Sequence, residues 1–189
     1  DRWGCELLLC LANPNGWKSV SECHPPVEKY IDCSTKRHNP CSMPGCPQSG
    51  EGNYAQRNDG RYDPCMLLGE GYEEAPRGYL LQGVLSSSEF SRSGGRYYAK
   101  KRSKYNYDGE YESCDSDGHC TTVHSKACVK SADYQGVAYE RYSCKNSDGY
   151  SRTCYRQVRV YSAISWQNAQ PPRAIDVYIE GKLYNRVHY

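Results

Sequence analysis

Apolar bulk is what this 189-residue chain lacks. It has one Phe and two Met, and hydrophobic residues of every kind make up only 38%. Leu, Ile and Val are scarce for one large core, so the packing should divide into several thin layers. No apolar run approaches the roughly 18 residues that a membrane-spanning helix needs. The net charge is only +2, too weak by itself to argue for a nucleic-acid partner. Catalytic signatures are missing as well. There is no His-Glu-x-x-His, no Gly-x-Ser-x-Gly and no phosphate-binding glycine loop. Paired Cys-x-x-Cys knuckles of the zinc-binding kind are absent too.

What the chain has instead is tyrosine and cysteine, 19 of the first and 12 of the second. Tyr supplies large contact area but keeps a hydroxyl that must be wet or paired. The cysteines are Cys5, Cys10, Cys23, Cys33, Cys41, Cys46, Cys65, Cys114, Cys120, Cys128, Cys144 and Cys154. An even number at this density reads as up to six disulfides formed in an oxidising compartment. Each would stabilise by roughly 2–5 kcal/mol, the scale of a small domain's whole stability. Seven cysteines lie at or before Cys65 and five at or after Cys114. If all are bridged, at least one bridge joins the two halves. The chain begins at Asp1 rather than Met, which fits a mature form without its signal peptide or a trimmed piece of a longer chain.

The local patterns point to an α+β protein. "CELLLCLA" (5–12) predicts a short helix and "ANPNGW" a turn. Ser19 or Ser21 offers a helix cap, with Glu22 placed for a capping box. Pro25 and Pro26 suit a first helical turn. Val27, Tyr30 and Ile31 then recur at helical spacing. Residues 35–65 are turn-rich, with Cys41, Cys46 and Cys65 as their ties. "SSSEFSRSGG" predicts a mobile loop. Residues 96–162 read as strands. A hairpin is expected about Asp108-Gly109, with Arg102 facing Asp115 and Lys100 facing Asp117. "YESCDSDGHC" and "YSCKNSDGYSRTC" predict two disulfide-tied hairpins. "AIDVYIEGKLYNRVHY" predicts a last hairpin with a three-residue loop, pairing Ile179 with Leu183, Ile175 with Val187 and Asp176 with Arg186. The expected division is a helical, stapled unit over 1–65 and a Tyr-rich antiparallel β unit over 66–189, packed as one globule.

Each candidate site has a plainer reading. Thiolates and imidazoles such as Cys5, Cys10, Cys41, Cys46, His24 and His38 are zinc donors in kind, but disulfides account for the cysteines. "Cys23-His24-Pro25" resembles a thiol-activating arrangement; eleven other cysteines favour a staple. His119, Cys120 and His124 read as a bridged cysteine beside surface histidines. Asp115–Gly118 and Asn146–Gly149 lack the rest of a calcium loop and read as turns. No catalytic residue, metal site or cofactor is therefore expected. The run Arg96, Tyr97, Tyr98, Lys100, Lys101, Arg102 and Lys104 is the possible binding surface. Nucleic acid is not its expected partner, because acids follow it closely. Tyr is common at interfaces, where it gives contact area at low entropic cost, so a protein-recognition module is the simplest reading.

The N-terminal region carries a more specific pattern. Cys-x-x-Leu-Leu-Cys-Leu, a glycine-bearing turn, then Glu-Cys-x-Pro-Pro-Val and an aromatic in the following helix fall on Cys5, Leu8, Cys10, Leu11, Gly16, Glu22, Cys23, Pro25, Pro26, Val27 and Tyr30. This resembles the TrbM/KikA/MpfK family of conjugal-transfer proteins over roughly residues 1–50. His24 stands where the family more often has Arg. The resemblance implies a periplasmic accessory protein of plasmid conjugation and type IV secretion, working with protein partners and without catalytic residues. A secreted envelope-remodelling enzyme and a surface adhesin or receptor are the alternatives.

Overall fold

The computed structural model describes residues 2–106, 110–114 and 119–189, with backbone alone for 110–114 and 120–124. The helices are α1 (Arg2–Leu11) and α2 (His24–Ser34). The strands begin with β1 (Tyr54–Asn58), β2 (Tyr72–Glu74), β3 (Gly78–Gln82), β4 (Phe90–Ser93), β5 (Arg96–Ala99) and β6 (Lys104–Asn106). They continue with β7 (Glu110–Cys114), β8 (Cys120–Lys130), β9 (Tyr134–Lys145), β10 (Ser151–Tyr161), β11 (Ser165–Asn168), β12 (Ala174–Ile179) and β13 (Lys182–His188). The class is α+β, with mostly antiparallel sheets and five disulfides among the described residues.

The chain divides into two units. The first takes residues 1–63 and 170–189, the second residues 64–169. The C-terminal hairpin therefore belongs with the helices and not with the Tyr-rich strands, contrary to a division at residue 65. The reason is its apolar face. Ile175 and Val177 are fully buried against Leu7, Leu11, Val27 and Tyr30. Each such aliphatic side chain stabilises by roughly 1.5–3 kcal/mol. Two helices this short could not cover their own apolar stripes.

Within this first unit, β1, β12 and β13 form an antiparallel sheet in that order. Three bridges staple the helices and the irregular segment after them: Cys5–Cys46, Cys10–Cys23 and Cys33–Cys41. Gly4 lies where the chain at Pro44–Gly45 crosses α1. A Cβ at Gly4 would sit 2.0 Å from the Gly45 carbonyl oxygen, so only glycine fits beside the Cys5–Cys46 bridge. The expected capping box does not form. Residues 17–19 and 21–23 make two tight 3-10 turns, and α2 starts after Cys23 with no side-chain cap. Pro25 and Pro26 in its first turn carry no N–H, so fewer donors are left to cap.

The last hairpin pairs Ile175 with Val187 and Asp176 with Arg186, as its pattern predicts. Beyond them the ladder shifts between Val177 and Tyr178, and Ile179 meets Lys182 instead of Leu183. The turn is the two residues Glu180 and Gly181, at φ 51° and 75°. Left-handed values at both positions suit a strand-twist-matched turn, and the bulge absorbs the residue left over.

The second unit has two sheets. One is six-stranded, in the order β4-β5-β9-β10-β3-β6; in the other, β11, β8 and β2 are neighbours and β7 pairs with β8. Its apolar residues split into two small clusters. Leu80, Val129, Ala127 and Tyr161 make one, and Leu81, Phe90, Ala138, Val158 and Val160 the other. Adjacent Leu80 and Leu81 serve opposite faces of β3, as strand alternation requires. Cys65–Cys128 ties the turn at 65–68 to β8 and bridges the two cysteine-bearing halves. Cys144–Cys154 ties the β9–β10 hairpin. Its turn is closed by Asn146, whose side-chain oxygen accepts from the Asp148 and Tyr150 amides. In β7–β8, Cys114 stands opposite Cys120; the "DSDG" turn between them lies outside the described residues.

"SSSEFSRSGG" is not a loop. Phe90 is buried, and Phe90–Ser93 forms β4, which pairs with β5 through the Gly94-Gly95 turn. One apolar residue with a glycine pair outweighs the surrounding serines. Nor is 96–106 one continuous strand. The chain bends at 100–103 between β5 and β6. Asp108, Asp115 and Asp117, on which the expected Arg102 and Lys100 pairings rest, lie outside the described residues.

Candidate functional site

The Cys23–His24 stretch holds no thiol chemistry, because Cys23 is bonded to Cys10. His24 packs edge-on to Trp17 at 5.2 Å. One ring nitrogen meets Glu28 at 3.0 Å and the other the Lys18 carbonyl oxygen at 3.2 Å. The Glu28 hydrogen bond, then the Lys18 carbonyl, holds the imidazole above its ordinary value. This histidine pins the start of α2. Among the described residues no group of three or more His, Cys, Asp or Glu is placed to hold a metal ion.

The second unit presents a broader feature. A groove of about 1290 Å³ opens along the six-stranded sheet where β4, β5, the bend at 100–102, β9 and β10 meet. Strand alternation builds one wall of it. Tyr98 pairs with Tyr139, and Arg141 stands opposite Tyr155. The Tyr98 ring lies 5.9 Å from that of Tyr139 and 5.7 Å from that of Tyr155. Arg96 covers the Tyr139 ring at 4.8 Å, a cation–π contact that also stiffens the long side chain. Ser91 and Ser93 add hydroxyls from β4.

A buried carboxylate holds the basic bend in place. Glu140 is only 4% exposed. It accepts the Ser103 amide at 2.8 Å, the Ser103 hydroxyl, and Arg156 Nε at 3.0 Å. Arg156 is itself clasped between the Tyr79 and Tyr142 rings, at 3.7 and 4.6 Å. Such a charge is tolerated inside a protein only when it is paired and hydrogen-bonded. On the outer side Lys101 bonds Glu89, and the Lys100 amide bonds the Glu89 carbonyl. The bend is thus fastened at both ends. Lys100, Arg102, Arg141 and Arg152 all line the groove, and none has a carboxylate partner among the described residues. The arrangement can take an anionic, hydrogen-bonding ligand.

The seven residues of the basic run are dispersed by the fold. Tyr98, Lys100, Lys101 and Arg102 line the groove and Arg96 borders it. Tyr97 points to the opposite face, packing against the Phe90 cluster. Lys104 lies past the bend, over the Trp166 ring at 5.6 Å. Residues that composition did not single out complete the site: Tyr139, Glu140, Arg141, Arg152 and Tyr155. Only Tyr139 and Arg141 had a signal in the sequence, since with Ser143 they share one face at period two. No protein-family model, curated protein or solved structure matches this chain.

Proposed function

We propose that this chain is a periplasmic accessory protein of plasmid conjugation and type IV secretion, exported with removal of a signal peptide and acting by protein binding. The N-terminal pattern from Cys5 to Tyr30 supports the placement, through its resemblance to the TrbM/KikA/MpfK family. Five disulfides support an oxidising compartment, and no described helix is long and apolar enough to cross a membrane. The observation that carries the binding role is the groove, lined by tyrosines and by cations without carboxylate partners among the described residues, beside a bend that the buried Glu140 fastens through Ser103. A fastened surface of that kind suits recognition, because little ordering is left to be done on binding. The reading assigns no catalytic residue. Deleting the gene from a conjugative plasmid should lower transfer frequency, with recovery on supply in trans. Unchanged transfer, where other transfer genes are required, would contradict the proposal.

A further inference from the structure

We propose that the groove takes an acidic, extended segment of a partner protein, added as a strand to the open edge of β9. This rests on the groove being the working surface.

The geometry is that of an unfinished sheet. β10 pairs with β9 along its whole length, from Tyr134 to Lys145. On the other side β5 is the neighbour and pairs only at Tyr98–Tyr139. β5 ends at Ala99, yet β9 continues to Lys145. From Arg141 to Lys145, β9 therefore has no strand partner on that side among the described residues. Unpaired backbone donors and acceptors on such an edge are a template for another strand.

The vacancy is made by the fold. Just where pairing stops, Ser103 is drawn to Glu140 and the bend swings aside. Had β5 run on, its next residues would have filled the edge. The bend instead leaves Lys100 and Arg102 at the mouth of the open stretch, with Arg141 along it on one face and Arg152 of β10 on the other. The added segment should therefore carry carboxylates at alternate positions, on the face it shares with Arg141.

Two other readings fit less well. Single-stranded nucleic acid needs aromatic faces free to stack on bases, but Tyr98, Tyr139 and Tyr155 lean on one another and Arg96 covers Tyr139. Cations can also guard an edge against self-pairing. A guard would not need its basic bend fastened by a buried carboxylate.

The test uses the full oxidised protein and a labelled short peptide of alternating Glu and Thr. Binding is read by fluorescence anisotropy, and amide exchange at Arg141–Lys145 by NMR. The peptide should bind and slow exchange at those amides. The R102E/R141E variant should bind about tenfold more weakly or worse, as should a peptide N-methylated on alternate amides. The milder Arg141→Gln keeps the test alive if the double variant fails to oxidise. Three results would overturn the proposal: equal binding of the N-methylated peptide, equal competition by an oligothymidylate of matched charge, or self-association of R102E/R141E with peptide binding intact. Peptide binding without any effect of the gene on conjugation would remove the conjugation reading alone. Wild-type conjugation by R102E/R141E, with peptide binding lost, would remove this inference alone.

Discussion

Asp176 and Arg186 face one another across the C-terminal hairpin as a two-pronged ion pair, at 2.5 and 3.0 Å. Both side chains are almost wholly buried, 4% and 7% exposed. Asn58 of β1 donates to the same carboxylate at 2.7 Å, and Arg186 also donates to the Tyr62 carbonyl at 2.8 Å. The pair joins all three strands of its sheet to the segment leading out of the unit. Its hydrogen bond to Asp176 holds the guanidinium above its ordinary value, with burial opposing. Asp176→Asn should therefore destabilise the first unit by roughly 3–5 kcal/mol, because it leaves a buried cation unmatched. Denaturant unfolding followed by tryptophan fluorescence measures this. The double variant D176L/R186M should recover much of the loss, since paired apolar replacements remove both charges.

Gly4 allows a different test of the same unit. Gly4→Ala puts a methyl group into the Gly45 carbonyl, and backbone on both sides cannot give way cheaply. The cost should be about 1–3 kcal/mol or more. Alkylation mapping should show Cys5 and Cys46 becoming the most easily reduced pair of the unit.

His24 makes a pH prediction. Its folded pKa is raised by Glu28 and the Lys18 carbonyl. The contribution is thus complete below the unfolded value near ~6.5 and is lost as pH rises through the folded value. NMR titration of the His24 ring should show the upward shift. Glu28→Gln should move it down, because Glu28 is the largest cause. The side chain is exposed, so the titration and not the melting temperature is the sensitive measurement.

The disulfides predict a mass change. Five bridges among the described residues, at two hydrogens each, give a gain of ten on full reduction. The gain is twelve if Cys114 and Cys120, which face each other in the β7–β8 ladder, are also joined. Breaking Cys65–Cys128 by C65S/C128S should cost about 2–5 kcal/mol.

Local signals were the legible ones. The α1 and α2 stripes, the Asn146 turn and the Asp176–Arg186 pairing follow from periodicity and turn chemistry in short windows. What could not be read depends on distant contacts. The last hairpin joins the helices because Ile175 and Val177 complete a core begun at Leu7, more than 160 residues earlier. Its bulge follows from a two-residue turn that competes with a three-residue one on equal local terms. The groove was half visible. The basic run named Tyr98, Lys100, Lys101 and Arg102, but the bend at Ser103 is fastened by Glu140 on another strand. A polar residue that will be buried is invisible until its partner is known.

The central claim is that the chain works by binding through this groove. Its most direct measurement is photo-crosslinking in the envelope of conjugating cells, from p-benzoylphenylalanine placed at position 155 on the groove. The control is position 184, where Tyr184 is exposed on the first unit. The account predicts one discrete protein adduct from position 155, none from position 184, and loss of the first when Arg141→Glu is added at unchanged abundance. No adduct from 155, or equal adducts from both positions, would contradict it.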